Sequence, residues 1–163
     1  MMPVFVDDLW LASKPAVHDD IMEQLRKVWQ TSPPKELGWD GRGLTYLGMV
    51  LLRVEDGIVV HQLPYVHELL DKYQEFVPGK GKSVVGEPES YSGSFKEDGS
   101  EMPESMVAKL RGVLGAVLWV ATRTRPDLAW GHSMAATALA SKPWECLKRV
   151  KDLMAYLATH ANF

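Results

Sequence analysis

Asp7-Asp8 is the sharpest chemical feature of the chain, two adjacent carboxylates between the apolar runs Pro3-Val4-Phe5-Val6 and Leu9-Trp10-Leu11. Adjacent carboxylates repel, which costs stability unless a cation or positive group offsets it. Their hard oxygen donors suit magnesium or manganese. A two-metal phosphoryl-transfer site needs such groups to hold ions that activate a 3′-hydroxyl and stabilise a leaving pyrophosphate. The competing reading is an exposed turn whose aspartates satisfy local backbone groups.

Basic residues form the second constellation. Arg123 and Arg125, with Lys148, Arg149 and Lys151, are candidates for phosphate contact, the arginines bidentate and the lysines as point charges. The competing reading ties Arg123 and Arg125 into a helix junction through carboxylates such as Asp127 and leaves the lysines on a solvated face. Trp119, Trp130 and Trp144 read as core rather than as base-stacking platforms. Gly81-Lys82-Ser83 fails as a phosphate loop, because position 76 is Phe and a helix precedes it. It reads as flexible loop. The histidines 18, 61, 67, 132 and 160 complete no zinc spacing, and Cys146 has no pattern that makes it a nucleophile.

The elements that must position these groups are read from periodicity. Residues 3–13 predict a tight hairpin with the acidic pair at its tip. Val17, Ile21, Leu25, Val28 and Trp29 lie on one helical face, ended by Ser32-Pro33-Pro34. Leu44 to Val54, the turn Glu55-Asp56-Gly57 and Ile58-Val59-Val60 predict a second hairpin, with Gly48 inside its first strand as a bulge or a close backbone approach. Gln62–Phe76 returns to helical spacing. Residues 77–103 read as a long loop. The last third predicts three helices, from Pro103 to Ala121, from near Pro126 to Ala140, and from Pro143 onward, with Gly112 and Gly115 permitting close packing.

The chain has 163 residues, 46% hydrophobic and 24% charged, with a formal net charge of −3. That excludes general disorder and suits one domain or part of a larger one. Residues 1–102 carry 10 basic and 17 acidic residues, and residues 103–163 carry 8 and 4. The apolar runs fall short of the roughly 18 residues of a membrane span, so no membrane segment is expected. The start lacks a positive n-region, so no secretory leader is expected.

Five ordered elements resemble the reverse transcriptase of copia-type LTR retrotransposons. Phe5-Val6-Asp7-Asp8-Leu9 is similar to that family's Tyr-Val-Asp-Asp-Leu, with Phe for Tyr. Tyr46-Leu47-Gly48-Met49 resembles its Phe-Leu-Gly-Ile/Met primer grip, and Val60-His61-Gln62 with Tyr65, Leu69 and Leu70 its thumb-opening Ser-Gln-x-x-Tyr. Residues Leu110–Gly115 and Leu118–Ala129, containing Thr124-Arg125-Pro126-Asp127, resemble its Thr-Arg-Pro-Asp-Ile-Ala segment, the most diagnostic of the five. Lys148-Arg149-Val150 with Ala155-Tyr156-Leu157 resembles its Lys-Arg-Val block, although Leu157-Ala158-Thr159 departs from the family's Leu-Lys-Gly.

The resemblance covers almost the whole chain and implies an α+β fold. Residues 1–61 would be part of a polymerase palm, with β-hairpins and a helix, and residues 62–163 a helical thumb or connection region. Asp7 and Asp8 would be catalytic and hold Mg2+, and Leu47, Gly48 and Met49 would form the primer grip. The basic residues above would meet phosphates of an RNA or DNA template-primer, with a dNTP as substrate. The family's third aspartate, its fingers and its ribonuclease H domain would belong to the remaining Pol segments. The fragment alone is therefore expected to bind magnesium weakly and not to polymerise. The alternative is a domesticated or decayed remnant, a non-catalytic nucleic-acid-binding or protein-interaction module. Either reading places the chain in the cytoplasm or the nucleus, with a retroelement particle expected if it is part of an intact element.

Overall fold

A computed structural model describes residues 4–5, 8–85 and 101–162, with backbone alone at 4, 5 and 8. Among them are five α-helices and a three-stranded antiparallel sheet, an α+β chain. It divides into two compact units, Met1–His61 and Gln62–Phe163.

The first unit opens with strands β1 (Val4–Phe5) and β2 (Asp8–Leu9), antiparallel with Val4 opposite Leu9 and Phe5 opposite Asp8. This corrects the expected hairpin by one residue. Asp8 belongs to the second strand rather than to the tip. Helix α1 (Pro15–Val28) starts on a proline, whose missing N–H has no intrahelical partner to lose at a first turn. The expected apolar face is only partly covered. Met22 is buried and Ile21 and Leu25 half-buried, while Val17, Val28 and Trp29 remain exposed.

Residues 44–61 form a three-stranded meander, not the expected single hairpin. Its strands are β3 (Leu44–Tyr46), β4 (Met49–Val54) and β5 (Gly57–His61), in the order β3-β4-β5. The first strand breaks because Leu47 and Gly48 both take positive φ, 50° and 72°. Two successive left-handed residues make the two-residue turn whose twist matches antiparallel strands. The second turn is Glu55-Asp56, as the acidic-glycine pattern predicts.

The second unit holds the larger core. It comprises α2 (Leu63–Lys72), a 3-10 turn at Gln74–Phe76, α3 (Glu104–Arg123), a 3-10 turn at Pro126–Leu128, α4 (Ala129–Leu139) and α5 (Pro143–Thr159). Leu110, Val113, Val117 and Val120 of α3 pack in one cluster with Leu128, Val150, Leu153, Met154 and Leu157. By length and composition alone, α3 is long and apolar enough to cross a bilayer. Its apolar side, however, supplies the centre of this core. Leu118 of the same helix is exposed.

The expected loop at 77–103 falls partly outside the described residues. Residues 77–85 and 101–103 have no helix or strand, but 81–85 are tied down rather than free. The Lys82 ammonium lies 2.8 Å from Asp152 Oδ1 on α5, and the Lys82 N–H donates to Thr159 Oγ1. A Cβ on Gly81 would overlap Thr159 Oγ1, so only glycine permits this approach. Val85 packs against the core beside Gly131.

Candidate functional site

In the first unit the two candidate elements meet through one aromatic contact. Trp10, just after β2, lies 6.0 Å from Tyr46 between ring centroids, and Tyr46 precedes the Leu47-Gly48 turn. The acidic strand and the proposed primer-grip turn therefore belong to one local assembly. Met49 begins β4 directly opposite Tyr46. Gly48 is thus a turn residue at the end of a strand rather than a bulge inside one. Leu47 carries strain there, since a left-handed backbone costs an L-residue about 1–2 kcal/mol.

Asp7 and the Asp8 side chain lie outside the described residues. Their oxygen donors suit a hard divalent cation by chemistry. Among the described residues, no group of three or more His, Cys, Asp or Glu is gathered to hold a metal.

The second unit contains a polar hub built on Thr124-Arg125-Pro126-Asp127. Arg125 is 5% exposed and grips Asp127 as a fork, Nε to Oδ1 at 3.0 Å and Nη2 to Oδ2 at 2.8 Å. Its Nη1 donates to the His160 carbonyl at 2.8 Å. The Tyr156 ring lies 5.8 Å from the guanidinium. Thr124 Oγ1 donates to Gln62 Oε1 at 3.0 Å. Pro126 starts the 3-10 turn that places Asp127 under Arg125. The motif thus joins the end of α3, the start of α2 and the end of α5.

The electrostatics follow from that packing. Burial works against the Asp127 charge, but bonds from Arg125 and Tyr156 outweigh it and hold Asp127 below the usual carboxylate range. The bond to Asp127 raises Arg125 further, against its desolvation. Burial, then the charge and bond of Asp127, push Tyr156 up. His132 is lowered by burial, and its Nε2 donates to the Leu114 carbonyl. Burial pushes the Cys146 thiol up to about 11, in keeping with a structural cysteine.

These contacts correct the basic constellation. Arg125 is a structural fork, not a phosphate contact, because its donors are spent within the unit. Arg149 is likewise 7% exposed, paired with Glu145 and donating to the Met134 carbonyl. Arg123 is exposed and stacks over Trp119 at 4.7 Å. Lys151 is exposed and Lys148 half-buried, both on α5. The tryptophans divide in the same way. Trp130 is 53% exposed and not core, while Trp119 and Trp144 are half-buried.

Sequence reasoning missed the roles of Gln62, Tyr156, His160, Lys82 and Asp152. The spacing of Tyr156 and His160, one helical turn apart with rings 4.7 Å from each other, was a readable signal. Gln62 and Lys82 gave no local signal, because their partners lie 62 and 77 residues away. Comparison with protein-family models, curated proteins and solved structures finds no match to this chain.

Proposed function

We propose that this chain is the palm-to-thumb portion of a copia-type reverse transcriptase, an RNA-directed DNA polymerase. The observation that carries the reading is the five sequence elements in family order, Thr124-Arg125-Pro126-Asp127 foremost. The hub gives that element a physical reason: each residue type is needed for a fork, a turn or a bond that locks three helices. The paired strands at Val4–Phe5 and Asp8–Leu9 and the turn at Leu47-Gly48 are compatible with a palm hairpin and a primer grip.

In this reading Asp7 and Asp8 hold magnesium, which when bound supplies charge for phosphoryl transfer. The Leu47-Gly48-Met49 backbone positions the primer end. Arg123, Lys148 and Lys151 meet template-primer phosphates. The contribution of the described residues is binding and orientation, and by the family resemblance catalysis also needs a third carboxylate and a nucleotide site. The purified chain is expected to give no primer extension with magnesium and dNTPs. It is expected to bind a recessed RNA–DNA primer-template more tightly than a blunt duplex of equal length in a fluorescence-anisotropy titration. Equal affinity for the two, or binding to neither, contradicts the assignment.

A non-catalytic interaction module is the second reading. It is favoured by the inward pairing of Arg125 and Arg149, two of the five basic candidates for phosphates. Failure to bind either nucleic acid selects it.

A further inference from the structure

Residues 81–85 form a strap laid along α5 and onto α4, with no helix or strand of their own. Asp152 and Thr159 stand seven residues apart on α5, about two turns along one face. The strap follows that face contact by contact. Gly81 closes on Thr159, where a Cβ would overlap the hydroxyl. The Lys82 N–H donates to Thr159 Oγ1 at 3.2 Å, while that hydroxyl donates to the Ala155 carbonyl and so turns a lone pair to the strap. The Lys82 ammonium pairs with Asp152 Oδ1. Val85 fills the space that a Cβ at Gly131 would occupy, beside Leu153. Ser83 and Val84 between them are exposed. The face of α4 and α5 therefore reads a peptide of pattern Gly-Lys-x-x-Val, through one acceptor for its backbone, one carboxylate and one apolar socket.

The strap is an incomplete occupant. Asp152 Oδ2 is buried and takes no hydrogen bond among the described residues. Buried polar atoms are ordinarily satisfied, so this unused acceptor marks a donor that the strap does not bring. Lysine is a compact point charge, whereas the guanidinium of arginine presents parallel donors to both oxygens of a carboxylate. Among the described residues the strap is held by the Gly81 approach, a hydrogen bond, one valine and an ion pair whose lysine side chain is 31% exposed. A segment held by so few contacts opens locally, at far lower cost than global unfolding.

We propose that the face formed by Gly131, Asp152, Leu153 and Thr159 is a peptide-docking groove, occupied in cis by residues 81–85 and open in trans to a peptide of pattern Gly-Arg-x-x-Val. The strap acts as an internal pseudo-ligand. Tethered beside the groove, it competes at an effective concentration on the order of 1 mM, so a free peptide gains access when it binds better or when the strap is released. The arginine supplies that advantage through Asp152 Oδ2. The inference stands on the helical unit alone and is independent of the polymerase reading.

Fluorescence anisotropy of a labelled peptide of residues 79–85 carrying Lys82→Arg tests it, with the full chain as receptor. In the chain, Gly81→Ala with Lys82→Glu sets a clash against Thr159 and a repulsion against Asp152, which releases the strap. An unchanged far-ultraviolet dichroism spectrum checks the fold. The released chain is expected to bind the peptide at least about tenfold more tightly than wild type, because the tethered competitor is gone. It is expected to bind the unsubstituted peptide about tenfold more weakly than the Lys82→Arg peptide. Adding Asp152→Asn to the released chain is expected to abolish that preference. In the wild-type chain, the Lys82→Arg peptide above the effective concentration of the strap is expected to speed hydrogen exchange at residues 81–85, a readout that needs no variant. A released chain that binds the peptide no better than wild type, equal affinity for the two peptides, or a preference that survives Asp152→Asn overturns the proposal. So does wild-type exchange that the peptide leaves unchanged.

Discussion

Replacing Asp127 by Asn removes one charge from the hub while keeping the side-chain shape. Arg125 is then left 5% exposed, with its fork partner neutral while its Nη1 still donates to the His160 carbonyl. Removing one member of a buried ion pair costs about 3–5 kcal/mol. The Asp127 side chain is 30% exposed, so water offsets part of that. Loss of charge-assisted hydrogen bonds of this type costs about 1.5–3 kcal/mol, and about 2–3 kcal/mol is the expected effect. For a unit of about 100 residues this lowers Tm by roughly 10–20 °C. Thermal unfolding followed at 222 nm reads it through the helices.

The pH dependence fixes the cause. Asp127 is held below its ordinary value, so its contribution is complete above the unfolded pKa of about 3.9. The contribution is lost as pH falls through the lower folded pKa. The Tm gap between wild type and Asp127→Asn should therefore be constant near neutral pH and close in acid. Equal Tm values at pH 7, or a gap that persists unchanged under strong acid, would refute the ion-pair argument.

Lys82→Gln leaves Asp152 buried without its cation and should destabilise the helical unit by about 1–3 kcal/mol. Hydrogen exchange at residues 81–85 should rise in that variant, and unchanged exchange would count against the strap. Leu47→Asn places a residue tolerant of positive φ in the first turn and should stabilise the first unit by about 1 kcal/mol, measured by urea unfolding. Cys146, raised to about 11 by burial, should react slowly with a disulfide reagent in the native chain and rapidly in denaturant, as followed by thiol release. His132 is lowered by burial, so its neutral form adds stability above pH of about 6.5 that fades as pH falls through the lower folded value. His132→Gln should flatten that part of the stability profile.

Local patterns in the sequence were enough to place the helices of the second unit. Pro126 and Pro143 mark starts, and the apolar spacing of α3 and α5 matches their buried faces at Leu110, Val113, Val117, Val150, Leu153 and Leu157. Glu55-Asp56-Gly57 likewise marked a turn by its residue types. The Leu47-Gly48 turn was hidden because leucine is not a turn residue. Its positive φ is a strain that no propensity reading anticipates. The tie of Arg125 to Asp127 was one of two readings open from the sequence, whereas Arg149 looked like a surface cation because charge type does not reveal burial. Only contacts to Asp127, His160, Glu145 and Met134 show that they are internal. The apolar positions of α1 were legible as a helix but not as an exposed face, since periodicity says which residues align and not what covers them.

The central claim is that Arg123, Lys148 and Lys151 offer phosphate contacts to a template-primer. Its most direct test is the affinity for an RNA–DNA primer-template across a salt series. Three phosphate contacts give a slope of log affinity against log salt of about −3, at roughly −0.9 per contact. The triple variant Arg123→Ala, Lys148→Ala, Lys151→Ala should flatten that slope toward zero. A wild-type chain that does not bind at low salt, or a triple variant with the wild-type slope, would contradict the account.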